Sequence, residues 1–174
     1  MSDKLSIGEF RFKSMVLIKS WPDSAEAADT LLVKYLGVAS LPKVGGFISK
    51  EDIFCAVLSP GHIMLFSIQE SRFSDLSKIF SPQIAAIVDI SNSRRGIRLQ
   101  GGNSTLLLNK DIAIDLSDDA FPKFSVLQSS IHSIGIILFK FNPDDYLIFS
   151  YSSFFESFYA WVIGSAEEYG YAHP

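Results

Sequence analysis

The stretch "SVLQSSIHSIGIILFKFNPDDYLIFSY", Ser125 to Tyr151, decides the fold. "SVLQSSI" alternates apolar with polar residues and reads as a half-buried strand. "IGIILFKF" and "YLIFSY" are strand-length runs rich in β-branched and aromatic residues. Asn142-Pro143-Asp144-Asp145 is turn chemistry between the last two. His132 sits in the connection between the first two. Three strands this close in sequence predict a mainly antiparallel sheet.

Beyond this core, "SFFESFYAWVIGSAEEYG" reads as a helix, with a capping box of Ser153 and Glu156 at its start and Gly170 at its end. Before the core, "GIRLQ" reads as a strand and "NSTLLLNK" as a short helix. The first half of the chain repeats the alternation. "FRFKSMVLIK" (Phe10 to Lys19) is a strand. A helix follows, capped by Asp23 with Glu26 three residues on and stopped at Gly37. "SLPKVGG" is a loop. "DIFCAVLS" and "HIMLFSI" form a hairpin about Ser59-Pro60-Gly61. "SRFSDLSKIF" places Phe73, Leu76, Ile79 and Phe80 on one helical face, and "IAAIVDI" is a closing strand. The order β-α-β-β-α-β is that of a ferredoxin-like unit. The expected fold is therefore α+β: two fused ferredoxin-like modules, residues 1–90 and 91–174, tightly associated.

Composition narrows the class. The 174 residues are 48% hydrophobic, enough to bury a core and too much for a disordered chain. No run approaches the roughly 20 apolar residues that span a bilayer. The N-terminus lacks a signal-peptide core. A single cysteine, Cys55, excludes an internal disulfide and the paired-cysteine zinc patterns. A net charge of −4 gives no reason to expect nucleic acid as a partner. The expectation is a cytoplasmic protein with neither nucleic acid nor membrane as partner.

"RRGIRLQGGNSTLLL" (Arg94 to Leu108) is the one stretch resembling a phosphate loop. Gly96 and Gly101 have the P-loop spacing, but Gly102 stands where the lysine belongs and "IRLQ" is a strand. The G-x-G-x-x-G pattern is absent too. Gly101-Gly102 are expected to turn the chain and Asn103 to cap a helix.

No catalytic set emerges. His62, His132 and His173 lack metal-site spacing. Cys55, inside "IFCAVL", reads as a buried thiol. The pairs Asp118-Asp119, Asp144-Asp145 and Glu167-Glu168 read as solvated turn or helix-end residues. Asp89 ends a strand and is expected to accept backbone N–H groups of the turn after it. No catalytic, cofactor-binding or metal-binding residue is assigned.

The C-terminal helix points to association. Its apolar residues spread over about 200° at 100° per residue, whereas docking on one core needs a stripe of about 100° or a little more. Either the helix is wedged between two modules, or part of it faces another chain. Adjacent residues on a strand point to opposite faces, so Arg94 and Arg95 cannot jointly clamp one phosphate; one is expected to pair with an acid on a partner. The interface candidates are Arg94, Arg95, Phe155, Tyr159 and Trp161.

Over Ile84 to Gly170 the sequence resembles the gamma subunit of heterotetrameric sarcosine oxidase. The likeness rests on "VDIS" before a glycine-punctuated strand, a short leucine helix, a "DL…AFP" segment (Asp115 to Pro122), and a strand-Tyr-Ser-aromatic helix closing at "YG". The resemblance implies a trimmed version of the folate-binding aminomethyltransferase fold. It also implies a non-catalytic accessory subunit, docked on the large subunit of a complex with alpha, beta and delta subunits. That complex would oxidise sarcosine to glycine with oxygen, release hydrogen peroxide and pass the one-carbon unit to tetrahydrofolate. FAD, FMN, NAD and tetrahydrofolate would belong to the larger subunits. Active members of the fold carry a Gly-Gly-Ile-Leu-Asp-Asp strand whose acid meets the folate. Here the matching segment is "HSIGIILFKF", without an acid. A stand-alone folate-binding protein of the aminomethyltransferase type is the alternative. The cysteine motif of another branch of the fold, K-G-C-Y-x-G-Q-E, is absent.

Overall fold

The computed structural model describes residues 4–171. It divides into two compact units. One is built from the chain up to Arg11 and from Asn92 onward; the other is the continuous segment Phe12–Ser91. Each holds a five-stranded sheet in which neighbouring strands run antiparallel.

In the continuous unit the elements are β2 (Ser14–Ser20), α1 (Ala25–Leu36), β3 (Phe47–Lys50), β4 (Ile53–Ser59), β5 (His62–Ser67), α2 (Leu76–Ile79) and β6 (Ala85–Asp89). The strand order is β3-β4-β5-β2-β6. β5 lies between β2 and β4 and runs against both, so β2 and β4 are parallel, joined through α1. That is the split β-α-β arrangement expected for this half, with β3 added at the edge. β3 falls in a segment without strand-length alternation: four residues after a Gly-Gly turn. Ala28, Leu32 and Leu36 of α1 are buried with Val16, Ile18, Ile63 and Leu65. The spacing of four residues sets them on one side of the helix.

Helix starts differ from expectation. Asp23 does not cap α1. Pro22 opens a 3-10 turn, Pro22–Ser24, and no side chain caps the helix that follows. Ser24 Oγ instead donates to the Ile84 carbonyl at 2.7 Å. Gly37 closes α1 as expected, left-handed at φ 62°.

In the other unit the elements are β1 (Ser6–Phe10), β7 (Arg94–Gln100), α3 (Ser104–Leu108), β8 (Ser125–Ile131), β9 (Ile134–Asn142), β10 (Asp145–Tyr151) and α4 (Phe155–Ala166), in sheet order β1-β7-β10-β9-β8. The three strands read first from sequence, β8 to β10, form a meander, and Asp144 makes its second turn at φ 53°. This sheet repeats the arrangement of the other one: β10 lies between β7 and β9 and runs against both, so β7 and β9 are parallel, joined through α3, with β8 added at the edge. That is the second split module expected, except that β1 from the start of the chain takes the place of the closing strand. The first strand is corrected. "FRFKSMVLIK" is not one strand. The chain leaves β1 at Phe10 and enters β2 at Ser14, and the two belong to different sheets. Residues 1–11 were read with the first half, yet β1 pairs with β7, Ile7 opposite Leu99.

The core of this unit lies between one face of the sheet and α4. Phe155, Phe158, Val162 and Ala166 of the helix are buried with Ile7, Ile97, Leu99, Leu138 and Ile148. At 100° per residue those four occupy an arc of about 80°. Tyr159, Trp161 and Ile163 are partly buried shoulders on the same core. The 200° apolar arc is therefore a narrow buried stripe with two half-covered flanks, which an ordinary docked helix produces.

Candidate docking surface

Arg94 and Arg95 begin β7. β1 ends opposite Gly96, so in the sheet the two arginines are flanked only by β10, Arg94 opposite Tyr151 and Arg95 opposite Ser150. The alternation of the strand sends them to different surroundings, as expected.

Arg95 is consumed inside the chain. Its Nη1 lies 2.6 Å from Glu156 Oε1 and its Nε 3.1 Å from Glu9 Oε1. Its guanidinium carbon sits 3.8 Å from the centroid of the Phe155 ring, and Phe155 stacks on Tyr159 with centroids 5.8 Å apart. Glu156 was expected in a capping box with Ser153, but α4 has no side-chain cap, and the carboxylate goes to Arg95. A 3-10 turn, Ser152–Phe154, leads into the helix instead. It is tied to the start of β7 by Ser152, whose N–H donates to the Ser93 carbonyl and whose hydroxyl donates to that of Asn92.

Arg94 is different. Its guanidinium carbon lies 3.6 Å from the centroid of the Tyr151 ring. Among the described residues it makes no ion pair with a carboxylate. Burial lowers its pKa, and Tyr151 offsets part of that effect; a guanidinium nonetheless stays charged. The Tyr151 ring against this cation is 47% exposed, and Phe154, three residues on, is 53% exposed.

The five interface candidates thus separate. Phe155 is 1% exposed and belongs to the core, because the first turn of α4 aims it at the sheet. Tyr159 and Trp161 are partly buried, Trp161 edge-on to the His132 ring at 5.4 Å. Arg95 is neutralised. Arg94 alone offers a charge. The sequence reading missed Tyr151 and Phe154 as surface residues. The signal for Tyr151 was its place at the end of "YLIFSY", in register with Arg94.

The other groups stay apart. Cys55 is buried, and burial pushes its thiol pKa up to about 12. Asp89 accepts from the N–H and hydroxyl of Ser91 at 2.9 and 2.6 Å, the turn role expected of it. The carboxylate pairs are not dyads. Asp145 grips Arg98 through two bonds of 2.9 Å, while its neighbour Asp144 accepts from Thr105 Oγ1 at 2.8 Å; Glu168 pairs with Lys110 at 2.9 Å. His62 Nδ1 lies 2.6 Å from Ser59 Oγ across a hairpin turn. His173 lies outside the described residues. Among the described residues no group of three His, Cys, Asp or Glu side chains could hold a metal. No described helix is long and apolar enough to cross a membrane.

The phosphate-loop question also closes. Gly101 is left-handed at φ 92°, and its N–H donates to the Asp144 carbonyl at 3.0 Å. Asn103 does not cap α3 through its side chain; it too is left-handed. The Thr105 N–H points at Asp144 Oδ1, so a carboxylate already occupies the end of the helix where a phosphate would sit. The segment that the resemblance sets in the place of the folate acid forms β9. Its Ile136 to Phe139 are buried apolar residues, and no carboxylate lies along it. These residues do not fit a folate site.

No family model matches the chain. Two curated proteins do. The sarcosine oxidase gamma subunit of Corynebacterium sp. strain U-96 is 22% identical over 170 residues, 97% of this chain and 82% of that one. Its counterpart from strain P-1 is 23% identical over 172 residues, 95% of this chain and 81% of that one. The chain is similar to sarcosine oxidase gamma subunits. Its fold matches a chain of the heterotetrameric sarcosine oxidase of Corynebacterium sp. U-96, solved with pyrrole 2-carboxylate. There the TM-score is 0.86 at 21% identity, over 99% of this chain and 89% of that one. It also matches the glycine cleavage system aminomethyltransferase T of Bartonella henselae, with a TM-score of 0.66 at 13% identity. That match takes in 92% of this chain and 46% of the transferase, so the gamma-subunit relative carries a fold similar to about half of the larger enzyme.

Proposed function

We propose that this chain is a non-catalytic accessory subunit, of the gamma type, in a heterotetrameric sarcosine oxidase. It docks on the large subunit of a complex that oxidatively demethylates sarcosine to glycine. FAD, FMN, NAD and tetrahydrofolate are held by the other subunits. The observation that carries this reading is the length of the likeness: both curated gamma subunits align over at least 95% of the chain. The scattered chemistry supports it. Among the described residues His62, Cys55, Asp118, Asp144, Asp145 and Glu168 sit in separate local settings, and no nucleophile, base and oxyanion donor converge. The acid-free β9 weighs against the stand-alone folate-binding alternative.

The test is co-expression with tagged alpha and beta subunits and the delta subunit of the same organism's sarcosine oxidase. The expected result is stoichiometric co-purification. A complex that forms and turns over sarcosine fully without this chain, and never retains it, would sink the reading. Micromolar binding of a tetrahydrofolate derivative to the isolated chain, about −8 kcal/mol, would favour the alternative.

A further inference from the structure

We propose that the Arg94–Tyr151 stack, with the exposed Phe154 on the turn that follows it, is a docking site for a carboxylate-bearing loop of the larger subunit. The inference rests on the accessory-subunit reading and adds to it the residues and the chemistry of the contact.

Three observations converge on one place. The first is charge. Of two adjacent arginines, Arg95 meets two carboxylates within the chain and Arg94 meets none among the described residues. A half-buried guanidinium stacked on an aromatic ring and lacking a carboxylate partner suits a planar, two-pronged acceptor, which a carboxylate is. The second is composition. An exposed Tyr stacked on an arginine, with an exposed Phe three residues on, gives the residue types enriched in protein interfaces. The third is rigidity. Tyr151 is fixed by the β7–β10 register. Phe154 stands on a 3-10 turn whose Ser152 makes two hydrogen bonds to the start of β7. A surface held this firmly loses little conformational freedom on binding. Of the five arginines, the other four each meet a carboxylate, so Arg94 is the exception among them, and it selects an acidic contact.

The experiment compares wild type, Arg94→Glu, Phe154→Ser and the remote control Lys43→Glu in assembly with the cognate alpha, beta and delta subunits. Affinity is read by titration and fold by thermal melting of each isolated chain. Arg94→Glu is expected to weaken assembly about 30-fold or more. Phe154→Ser should weaken it about 10-fold, with a melting temperature close to wild type; Lys43→Glu should have no effect. Should Arg94→Glu not fold, Phe154→Ser and the milder Arg94→Gln decide. Wild type that assembles while Arg94 and Phe154 variants assemble equally well overturns this inference alone. Wild type that does not assemble overturns the accessory-subunit reading and the inference with it. Self-association lost in Arg94→Glu, with assembly unchanged, assigns the surface to a second copy and overturns the inference.

Discussion

Lys140 Nζ lies 2.8 Å from Asp118 Oδ1, and the two side chains live in different media: the lysine is 2% exposed and the aspartate 65%. The register of β9 and β10 puts Lys140 opposite Tyr146, on the core face of the sheet. Its ammonium also donates to the Leu116 carbonyl at 2.8 Å, and the rings of Tyr146 and Phe121 stand 5.7 and 5.9 Å away. A lysine thus pins residues 116–118 to the core. Removing the aspartate leaves a buried ammonium without its counter-ion, whereas removing the charge itself does not. Asp118→Ala is expected to cost about 1–3 kcal/mol. Lys140→Met, which keeps the stem volume, should cost less than about 1 kcal/mol or stabilise. Urea unfolding at neutral pH checks both; the reverse order would refute the account.

Asp52 and Asp89 contribute to the acid limb of stability. The Ser67 hydroxyl, 2.8 Å from Asp52 Oδ2, is the main reason its pKa is held below the ordinary carboxylate value, with Arg72 adding to it. The Ser91 hydroxyl and N–H do the same for Asp89. A carboxylate depressed in the folded state contributes stability that is fully present above its unfolded pKa, about 3.9. That contribution is lost as pH falls through the folded value. Stability governed by these two groups should therefore be flat from neutrality down to about pH 5 and decline below about pH 4. NMR titration of the two side chains is the direct measurement; folded midpoints at or above 3.9 would contradict the geometry.

Gly101 and Gly135 should respond oppositely to alanine. At φ 92°, a Cβ on Gly101 would overlap the Lys4 carbonyl oxygen, whereas one on Gly135 would meet nothing within 4 Å. Gly101→Ala is expected to cost about 1–3 kcal/mol and Gly135→Ala to be within about 0.5 kcal/mol of wild type. Paired thermal melts decide it.

These residues also show what the sequence made legible. The meander around Asn142 to Asp145 and the turns at Gly37 and Gly61 were readable because turn chemistry and strand period agree there. The passage from β1 to β2 was not. "FRFK" alternates, the polar pair Lys13-Ser14 is the one break in the pattern, and there is neither Gly nor Pro, so little that is local marks Arg11 to Lys13 as the point where the chain changes sheets. Capping boxes were over-read for a similar reason. Glu156 fits the pattern, but its carboxylate finds Arg95, 61 residues away, which no local rule can see. Phe155 was placed at an interface because a helical wheel gives the width of an apolar arc, and not which residue of it the core takes.

The C-terminal helix offers a graded test. Phe158 is fully buried, and Trp161 sits on the shoulder of the same core. Phe158→Ala is expected to cost about 3–5 kcal/mol. Trp161→Ala, with part of its ring already in water, should cost about 1–3 kcal/mol. Chemical denaturation of both variants measures the difference. A larger loss at Trp161 than at Phe158 would mean that the shoulder, rather than the central stripe, holds the helix down.

The unit that contains α4 is split in sequence, and this sets a timetable at the ribosome. The segment Phe12–Ser91 is continuous and can close its sheet as soon as it emerges. Strand β1 is synthesised before all of it, yet its partner β7 lies beyond it, Phe10 meeting Gly96. At about 5–20 residues per second, β1 waits on the order of 4–20 s with an unmatched edge. For that interval the nascent chain presents Ile7 to whatever is near. The finished chain shields Ile7 completely.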